Sequence, residues 1–528
     1  LVSAAAPCAV FEDEHLLAVN KPAGWNTHSP APLAGEGIYE WLRNREPRWA
    51  SLAIVHRLDK ETSGLLLFTK TKEANRSLTQ QFEEGSIRKE YVLQTRGVPA
   101  RRKFQITSHL KRVGERYASQ RGGISGVDAT TEFEVLETKE GVTMVVARPL
   151  TGRTHQIRVH ASENGFPICG DVLYGGEPAA RLCLHSAKIR FQHPASGEPI
   201  ELSAPVSFDA PAWMSLRAMI DANETEAFRC LHGASDGFPD WQVDRFGEYL
   251  LSQSPAPLTA EQRALLEKWL LRGGAYHKIT TAHVRGKKEE AGPQLALGSP
   301  VEAPFVVREN GVRYEISFSE GYSCGIFLDQ RDNRRRLLAN YIAPDFVARD
   351  GGLRGAEVLN TFAYTCAFSV CAALAGARVT SLDLSRKYLD WGRRNFERNQ
   401  LNPNDHDFIF GDVFDWLKRF KKKARQFDAI LLDPPTFSQS KESGLFRAEK
   451  DYARLVTESL QVLKPNGLLF ASSNAAKWPP EDFLAEVKRA VASTGRRILQ
   501  EHYAPQPPDF PISREDPAYL KTLWLRIA

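Results

Sequence analysis

Apolar and polar positions alternate on two different periods along this chain. Up to about residue 210 the apolar runs are short and are cut by glycine, proline and charge. Val10, Leu16, Leu17 and Val19 mark two short strands around an acidic turn, and Asn20-Lys21-Pro22-Ala23-Gly24 ends the pattern. Residues 38–45 read as a short helix. Leu65-Leu66-Leu67-Phe68, bounded by Gly64 and charge, predicts a buried strand. Ala74, Leu78 and Phe82 fall on one face of a helix over Glu73 to Phe82, and the strand RKEYVLQTRG follows with Tyr91 on it. His155, Ile157 and Val159 alternate with Gln156, Arg158 and His160, as in a strand or a strand-helix junction. The block LHSAKIRFQHPASGEPIELSAP reads as a hairpin, and this half closes near Pro211.

The second half changes in character. Trp213 to Ala222 is helical and runs into a polar stretch that reads as a linker. A turn-rich segment, a helix over Glu261 to Leu271 and a β-rich stretch over 275–320 make a small α+β module. From Phe327 onward strands and helices alternate. The first strand ends at Asn360, a second (Val379 to Leu382) ends at Asp383, and others run through DFIFGDVFDWL, FDAILLDPPTF and the stretch 468–473. Such βα repeats imply a parallel, doubly wound sheet with its ligand at the carboxyl ends of the strands. The expected division is 1–212, a linker at 213–228, the small module at 229–320 and the doubly wound domain at 321–528.

At 528 residues the chain is too long for one core, since cores rarely exceed about 250–300 residues. Net charge is +5, too mild to establish a nucleic-acid partner, so its distribution matters more. Between Arg88 and Arg121 stand ten Lys/Arg against Glu90 and Glu115, a local surplus of +8. A run this one-sided suits phosphates better than a solvated face. Seven cysteines with no CxxC pair suggest neither disulfides nor zinc and fit a reducing cytoplasm. No apolar run reaches the ~18 residues of a membrane span. No signal-peptide pattern is seen, and Leu1 in place of Met suggests a trimmed start.

The most chemical string is VHRLDKETSG, which places His56, Arg57, Asp59, Lys60 and Glu61 in six positions before a core strand. The blocks HRLDKETSG, RKEY and GRTHQIRVH stand in the order and spacing of the RluA-like pseudouridine synthases, and the resemblance covers roughly residues 10–210. It implies an α+β domain with a mixed antiparallel sheet and no cofactor. It further implies Asp59 as the catalytic aspartate, Arg57 as the residue that enters the helix as the uridine leaves, Tyr91 against the flipped base, Arg158 paired with Asp59, and Ile157 in the same pocket. No S4-type RNA-binding domain is expected before it, because the pattern starts almost at once. A carboxylate that attacks the sugar or removes a sugar proton must stay ionised in a dry site, and a neighbouring arginine favours that form. Whether Asp59 is nucleophile or base stays open.

The strings HGASDGFPDWQVDRFG, FLDQRDNR, NTFAYT and LLDPPTFSQSK resemble class I S-adenosylmethionine methyltransferases of the RlmI/RlmK type over about 229–528. The resemblance implies a Rossmann-like domain that binds S-adenosyl-L-methionine. The loop of Asn360, Phe362, Tyr364 and Thr365, with Asp329 and Arg331, would approach the methionine part. Asp383 would hold the ribose, Asp412 the adenine side, and Asp433, Pro434 and Phe437 the target base. Two departures matter. Cys366-Ala367 stands where the family often has Gly-Gly, so the loop must find its room without glycine. The strand at 468–473 leads into Ser472-Ser473-Asn474, where cytosine-modifying relatives carry Cys, and no Cys lies beyond Cys371. Methylating carbon 5 of cytosine needs a thiolate adduct, whereas a ring nitrogen needs only positioning. The expectation is a bifunctional enzyme of ribosomal RNA (transfer RNA is possible), methylating nitrogen 7 of guanine. The rivals are a non-catalytic RNA-binding assembly factor, a cytosine carbon-5 methyltransferase, and a methyltransferase of small molecules or proteins. The oligomeric state stays open.

Overall fold

The structure is a computed structural model that describes residues 6–35, 37–120, 126–280, 292–302, 304–320, 323–440 and 444–528. Among the described residues no helix is long and apolar enough to cross a membrane.

The first half is built on one mixed sheet in which nearly all neighbours are antiparallel. One of its strands, Ser63–Thr69, is buried at every position. Leu66 and Phe68 enter one core and Leu65 and Leu67 another, so the continuous apolar run reflects two covered faces. The strand pairs antiparallel with Leu16–Lys21 and parallel with Leu184–Gln192. Helix Lys72–Glu83 lays Ala74 and Leu78 on one of those cores, as its spacing predicts. The expected hairpin is present as Leu184–Gln192 against Pro199–Ser203. The strand reading of 155–160 is corrected. Gln156–Glu163 is a helix that begins after His155 turns through a φ of 57°. The period-two alternation misled because the polar members are buried too. Gln156 donates to the Thr130 carbonyl and the Thr131 hydroxyl (2.9 Å each), and His160 bonds Thr131 (3.0 Å).

The stretch 213–228 is not a free tether. Leu216 and Met219 enter the core of the first half, while Arg217 pairs with Asp236 (2.6 Å) and donates to the Asp509 carbonyl (3.1 Å). A bidentate arginine reaching both sides turns the connection into a joint. Beyond it, five strands order as Ala227–His232, Gln242–Phe246, Tyr249–Ser254, Gly274–Ile279 and Gln294–Gly298. The third and fourth are parallel and joined by helix Ala260–Trp269, whose Thr259–Gln262 capping box fixes its start. Of the β-rich stretch 275–320, residues 281–291 and 303 lie outside the described residues.

The last sheet has the order Asp407–Phe410, Arg378–Asp383, Glu357–Thr361, Phe427–Leu432, Leu463–Ser473, Lys521–Ile527, Ile498–Tyr503. Its first five strands are parallel and the last two pairings antiparallel, so the chain reverses direction on either side of Glu357–Thr361. The loop leaving that strand carries three non-glycine residues at positive φ: Phe362 (53°), Tyr364 (49°) and Cys366 (64°). The room that glycine would provide comes from the facing helix Arg386–Arg398. A Cβ added to its Gly392 would meet the Cys366 Sγ at 2.4 Å and its Cβ at 2.9 Å.

Alanine gains up to about 1 kcal/mol over glycine in a helix, whereas overpacking costs about 1–3 kcal/mol. Gly392→Ala is therefore expected to lower stability in urea unfolding. Adding Cys366→Gly, which removes the clash and suits a positive φ, is expected to raise it again. An independent, additive pair of effects would show that the two positions do not share one space.

Candidate functional sites

In the first half Arg57, Asp59, Tyr91, Ile157 and Arg158 line one cavity of about 750 Å³. The loop that presents Asp59 is tied from beneath. Buried Lys21 donates to the carbonyls of Pro22 (2.8 Å), Trp25 (2.6 Å) and Lys60 (3.1 Å). Thr27 and Leu58 exchange two hydrogen bonds (3.0 and 3.1 Å). His56 accepts the Leu67 N–H (3.0 Å), and burial lowers its pKa to about 3, so it is a neutral acceptor that braces the strand. Arg57 reaches outward, its Nη1 3.5 Å from His28 Nε2. Tyr91 is buried, with its hydroxyl toward Ser186; burial above all raises its pKa.

Arg158 does not take Asp59 as its main partner. Its Nε and Nη2 donate to Asp171 (2.7 and 2.8 Å), and its guanidinium lies over the Tyr174 ring (5.0 Å). Asp59 Oδ2 lies 3.7 Å from the remaining Arg158 nitrogen and 3.9 Å from His155 Nε2. The difference is one of geometry: the fully buried Asp171 takes the arginine's bidentate edge and fixes its third nitrogen toward Asp59. His155 is itself held by the Tyr174 hydroxyl (2.9 Å). Asp171, Tyr174 and His155 are not legible as site residues in GDVLYG and GRTHQIR, although an acid just after a glycine turn is a usable signal. Of the basic run, Arg101, Arg102, Lys111, Arg112 and Arg116 are exposed on or beside the hairpin Lys103–Val113/Arg116–Gln120. Lys103 pairs with Glu134 (2.8 Å), burial lowers the Lys89 pKa, and Arg121 lies outside the described residues.

In the second half the residues separate into two groups. Asp383, at the end of Arg378–Asp383, accepts the N–H groups of Tyr364 and Ser385 (2.8 Å each), and burial raises its pKa. Those bonds, with the Leu384 N–H also against the carboxylate, leave part of its roughly four acceptor sites over. Phe362 and Asp412 line a small cleft beside it with Leu384 and Phe446. Asp412 also caps helix Val413–Lys422 by accepting the Asp415 N–H (3.1 Å). Three expected ligands are turned to bracing instead. Asn360 donates to Ser369 (2.9 Å) and Thr365 to the Gly325 carbonyl (2.5 Å). Arg331 is buried in a bidentate pair with Asp509 (2.9 and 2.6 Å). The Arg331 guanidinium, the Asn360 amide N–H and the Thr365 hydroxyl are thus engaged inside the protein.

On the other side of the first strand, Asp433 accepts from Gln330 (3.1 Å), which also donates to Ser472 (2.8 Å). Asn333 donates to Gln330 and accepts from Trp524 (2.8 and 3.0 Å), so the amide of Gln330 is locked in one orientation. Burial lifts the Asp433 pKa to about 6. Pro434 is buried beside it, and Phe437 stands on the hairpin Phe437–Ser440/Gly444–Arg447 with 56% of its surface exposed. Lys441 of the quoted motif lies outside the described residues. Neither Gln330 nor Asp509 is marked out by the sequence, and Gln330 sits inside FLDQRDNR among charged neighbours.

The donor set fits the cofactor that the motif resemblance implies. Asp383 has free acceptor sites, the Phe362–Cys366 loop brings backbone close, and Asp412 lies one strand further along the sheet. The RNA pseudouridylate synthase family matches residues 15–163, and the S-adenosylmethionine-dependent methyltransferase family matches residues 258–526. The chain is 40% identical to ribosomal large subunit pseudouridine synthase C of Yersinia pestis, covering 39% of this chain and 67% of that one. It is 33% identical to ribosomal RNA large subunit methyltransferase I of Pseudoalteromonas atlantica, covering 60% of this chain and 79% of that one. Among solved structures, SMU.776 complexed with SAH is 27% identical with a TM-score of 0.50, covering 64% of this chain and 86% of that one. The chain thus belongs to two enzyme families at once, as an RNA pseudouridine synthase in its first half and an S-adenosylmethionine-dependent methyltransferase in its second.

Proposed function

We propose that the protein is a cytoplasmic enzyme of ribosomal RNA that isomerises a uridine with residues 1–212 and methylates nitrogen 7 of a guanine with residues 321–528. Residues 229–320 serve the second reaction, and 213–228 form the joint. Relatives of both halves are named for the large ribosomal subunit, which supports one shared substrate. The observation that carries the nitrogen reading is the acceptor side of the second site. There the strand ends offer the Asp433 carboxylate and the Ser472 hydroxyl, and no thiolate. The thiol of Cys324, which lines a neighbouring cavity, is pushed by burial up to a pKa of about 12, far from a nucleophile's range.

In the first reaction the C1′–N1 bond of uridine breaks, the uracil turns, C1′ bonds to C5, the C5 proton leaves and N1 gains one. Asp59 is the carboxylate beside the sugar. Arg158, held by Asp171 and Tyr174, keeps a positive charge 3.7 Å from it. Tyr91 packs on the extruded base, and Arg57, exposed at the rim, takes the place the base leaves. The exposed cations of the 101–116 hairpin sit on phosphates.

In the second reaction S-adenosylmethionine supplies an electrophilic methyl group on a sulfonium. Asp383 holds the ribose hydroxyls, Asp412 and Phe362 flank the adenine, and Phe437 stacks on the base. Methylation at nitrogen 7 leaves positive charge on the purine, and a fixed, half-buried carboxylate at Asp433 stabilises that charge as it develops.

Asp59→Asn is expected to abolish pseudouridine formation while RNA affinity and methylation change little. Wild-type turnover in that variant would remove Asp59 from the chemistry. For the second site, labelled cofactor, ribosomal RNA and nucleoside digestion are expected to place label in 7-methylguanosine, and label in 5-methylcytosine would refute the nitrogen reading. With Asp433 titrating near pH 6, the methylation rate should rise through that pH, and Asp433→Asn should be slow and flat across it. The same raised pKa means that the folded chain holds this proton more tightly than the unfolded one, so its contribution to stability falls from about pH 4 to pH 6.

A further inference from the structure

A second cavity, of about 270 Å³, opens where the five-stranded module meets the methyltransferase sheet. That is about nine water volumes, room for a single planar base. One wall is Asp244, Leu251 and Lys278 of the module, and the other is Phe318, Phe327 and Asp329. Phe327 is 45% exposed and packs on Tyr364 of the loop after the first strand (5.1 Å), so the cavity adjoins the cofactor loop.

Asp329 is the unusual group here. Its Oδ2 accepts the Tyr519 hydroxyl (2.9 Å), while its Oδ1 is buried with no partner among the described residues. An unpaired buried carboxylate oxygen is costly, and in native proteins it is a position waiting for a donor. Asp244, across the cavity, is already engaged by Arg229 through both oxygens (2.5 and 3.4 Å). The open acceptor therefore belongs to Asp329. Its direction follows from topology. Tyr519 precedes the strand Lys521–Ile527, and the adjoining Gln330 bonds Asp433 and Ser472, at the ends of Phe427–Leu432 and Leu463–Ser473. These elements lie on one side of Glu357–Thr361, and Asp383 and Asp412 lie on the other. Asp329 thus faces the half of the crevice opposite the ribose and adenine positions.

Taking guanine as the methylated base, we infer that this cavity receives it and that Asp329 reads its Watson–Crick edge, accepting from N1–H and the 2-amino group. Guanine is the RNA base that presents two adjacent donors on that edge, which a carboxylate's paired oxygens match. The opposite, imidazole edge with nitrogen 7 then points away from Asp329, toward Asp433 and the cofactor side. Phe318 and Phe327 give the base apolar walls and take over the contact assigned above to Phe437, which does not line this cavity. Arrival of two donors also favours the ionised carboxylate that burial otherwise disfavours.

The test uses the whole chain with S-adenosylmethionine and a synthetic RNA whose mapped target nucleotide is either guanosine or inosine, which lacks the 2-amino group. Wild type is expected to lose about tenfold or more in kcat/KM on inosine. Asp329→Asn is expected to lose at least that on guanosine, to show little further loss on inosine, and to keep its cofactor Kd. Tyr519→Phe, which leaves Oδ1 in place, is expected to keep the guanosine preference. Equal wild-type rates on the two RNAs would overturn the assignment without any variant. So would loss of cofactor binding in Asp329→Asn, which would place the carboxylate on the methionine ammonium instead. Label in a nucleoside other than guanosine would refute the guanine reading itself, and this inference with it.

Discussion

The carboxylate of Asp509 is the constraint on which the second half depends. It is fully buried, takes both nitrogens of Arg331, accepts the Arg229 N–H (2.9 Å), and its own carbonyl accepts from Arg217. Three separate stretches of chain therefore close on one residue: the joint helix, the first strand of the module, and the helix that begins at Arg331. Two further arginines continue the device, Arg217 on Asp236 and Arg229 on Asp244. Taking such charges out of water is expensive, and removing one partner of a buried pair costs about 3–5 kcal/mol. A misaligned joint would leave charges unpaired, so the network selects one arrangement of module and sheet. That arrangement shapes the cavity containing Asp329.

The first half uses the same device on a smaller scale. Asp171 pins Arg158, and the arginine's free nitrogen is thereby aimed at Asp59 without closing a tight ion pair on it. A direct bidentate pair would occupy the carboxylate that, in the proposed reaction, meets the sugar. The halves also touch directly. Arg335 donates to the Arg45 carbonyl and pairs with Glu46, and Tyr341 donates to the Arg43 carbonyl (2.7 Å).

Much of this was legible in the sequence, and what was not follows a physical pattern. The buried strand Ser63–Thr69, the helix Lys72–Glu83 and the doubly wound sheet declare themselves because burial follows backbone period. Asp59 and Asp433 stand out because charge at the edge of a core strand needs a reason. Helix Gln156–Glu163 was obscured because its polar residues are as buried as its apolar ones, which defeats any reading by period. Arg331, Asn360 and Thr365 carry the motif yet point into the protein. A motif records which residue types a site needs, but whether a given residue touches the ligand or holds one that does depends on partners such as Asp509, distant in sequence. The glycine at 392 that makes room for Cys366 is invisible for the same reason.

As proposed, one chain carries two independent chemistries for the same RNA. The most direct measurement is nucleoside mass mapping of ribosomal RNA from cells lacking the protein, complemented by wild type or by Asp59→Asn. Loss of one pseudouridine and one 7-methylguanosine, both restored by wild type and only the methyl mark by Asp59→Asn, is the predicted result. Ribosomal RNA unchanged at both kinds of mark would rule it out as the substrate of either half.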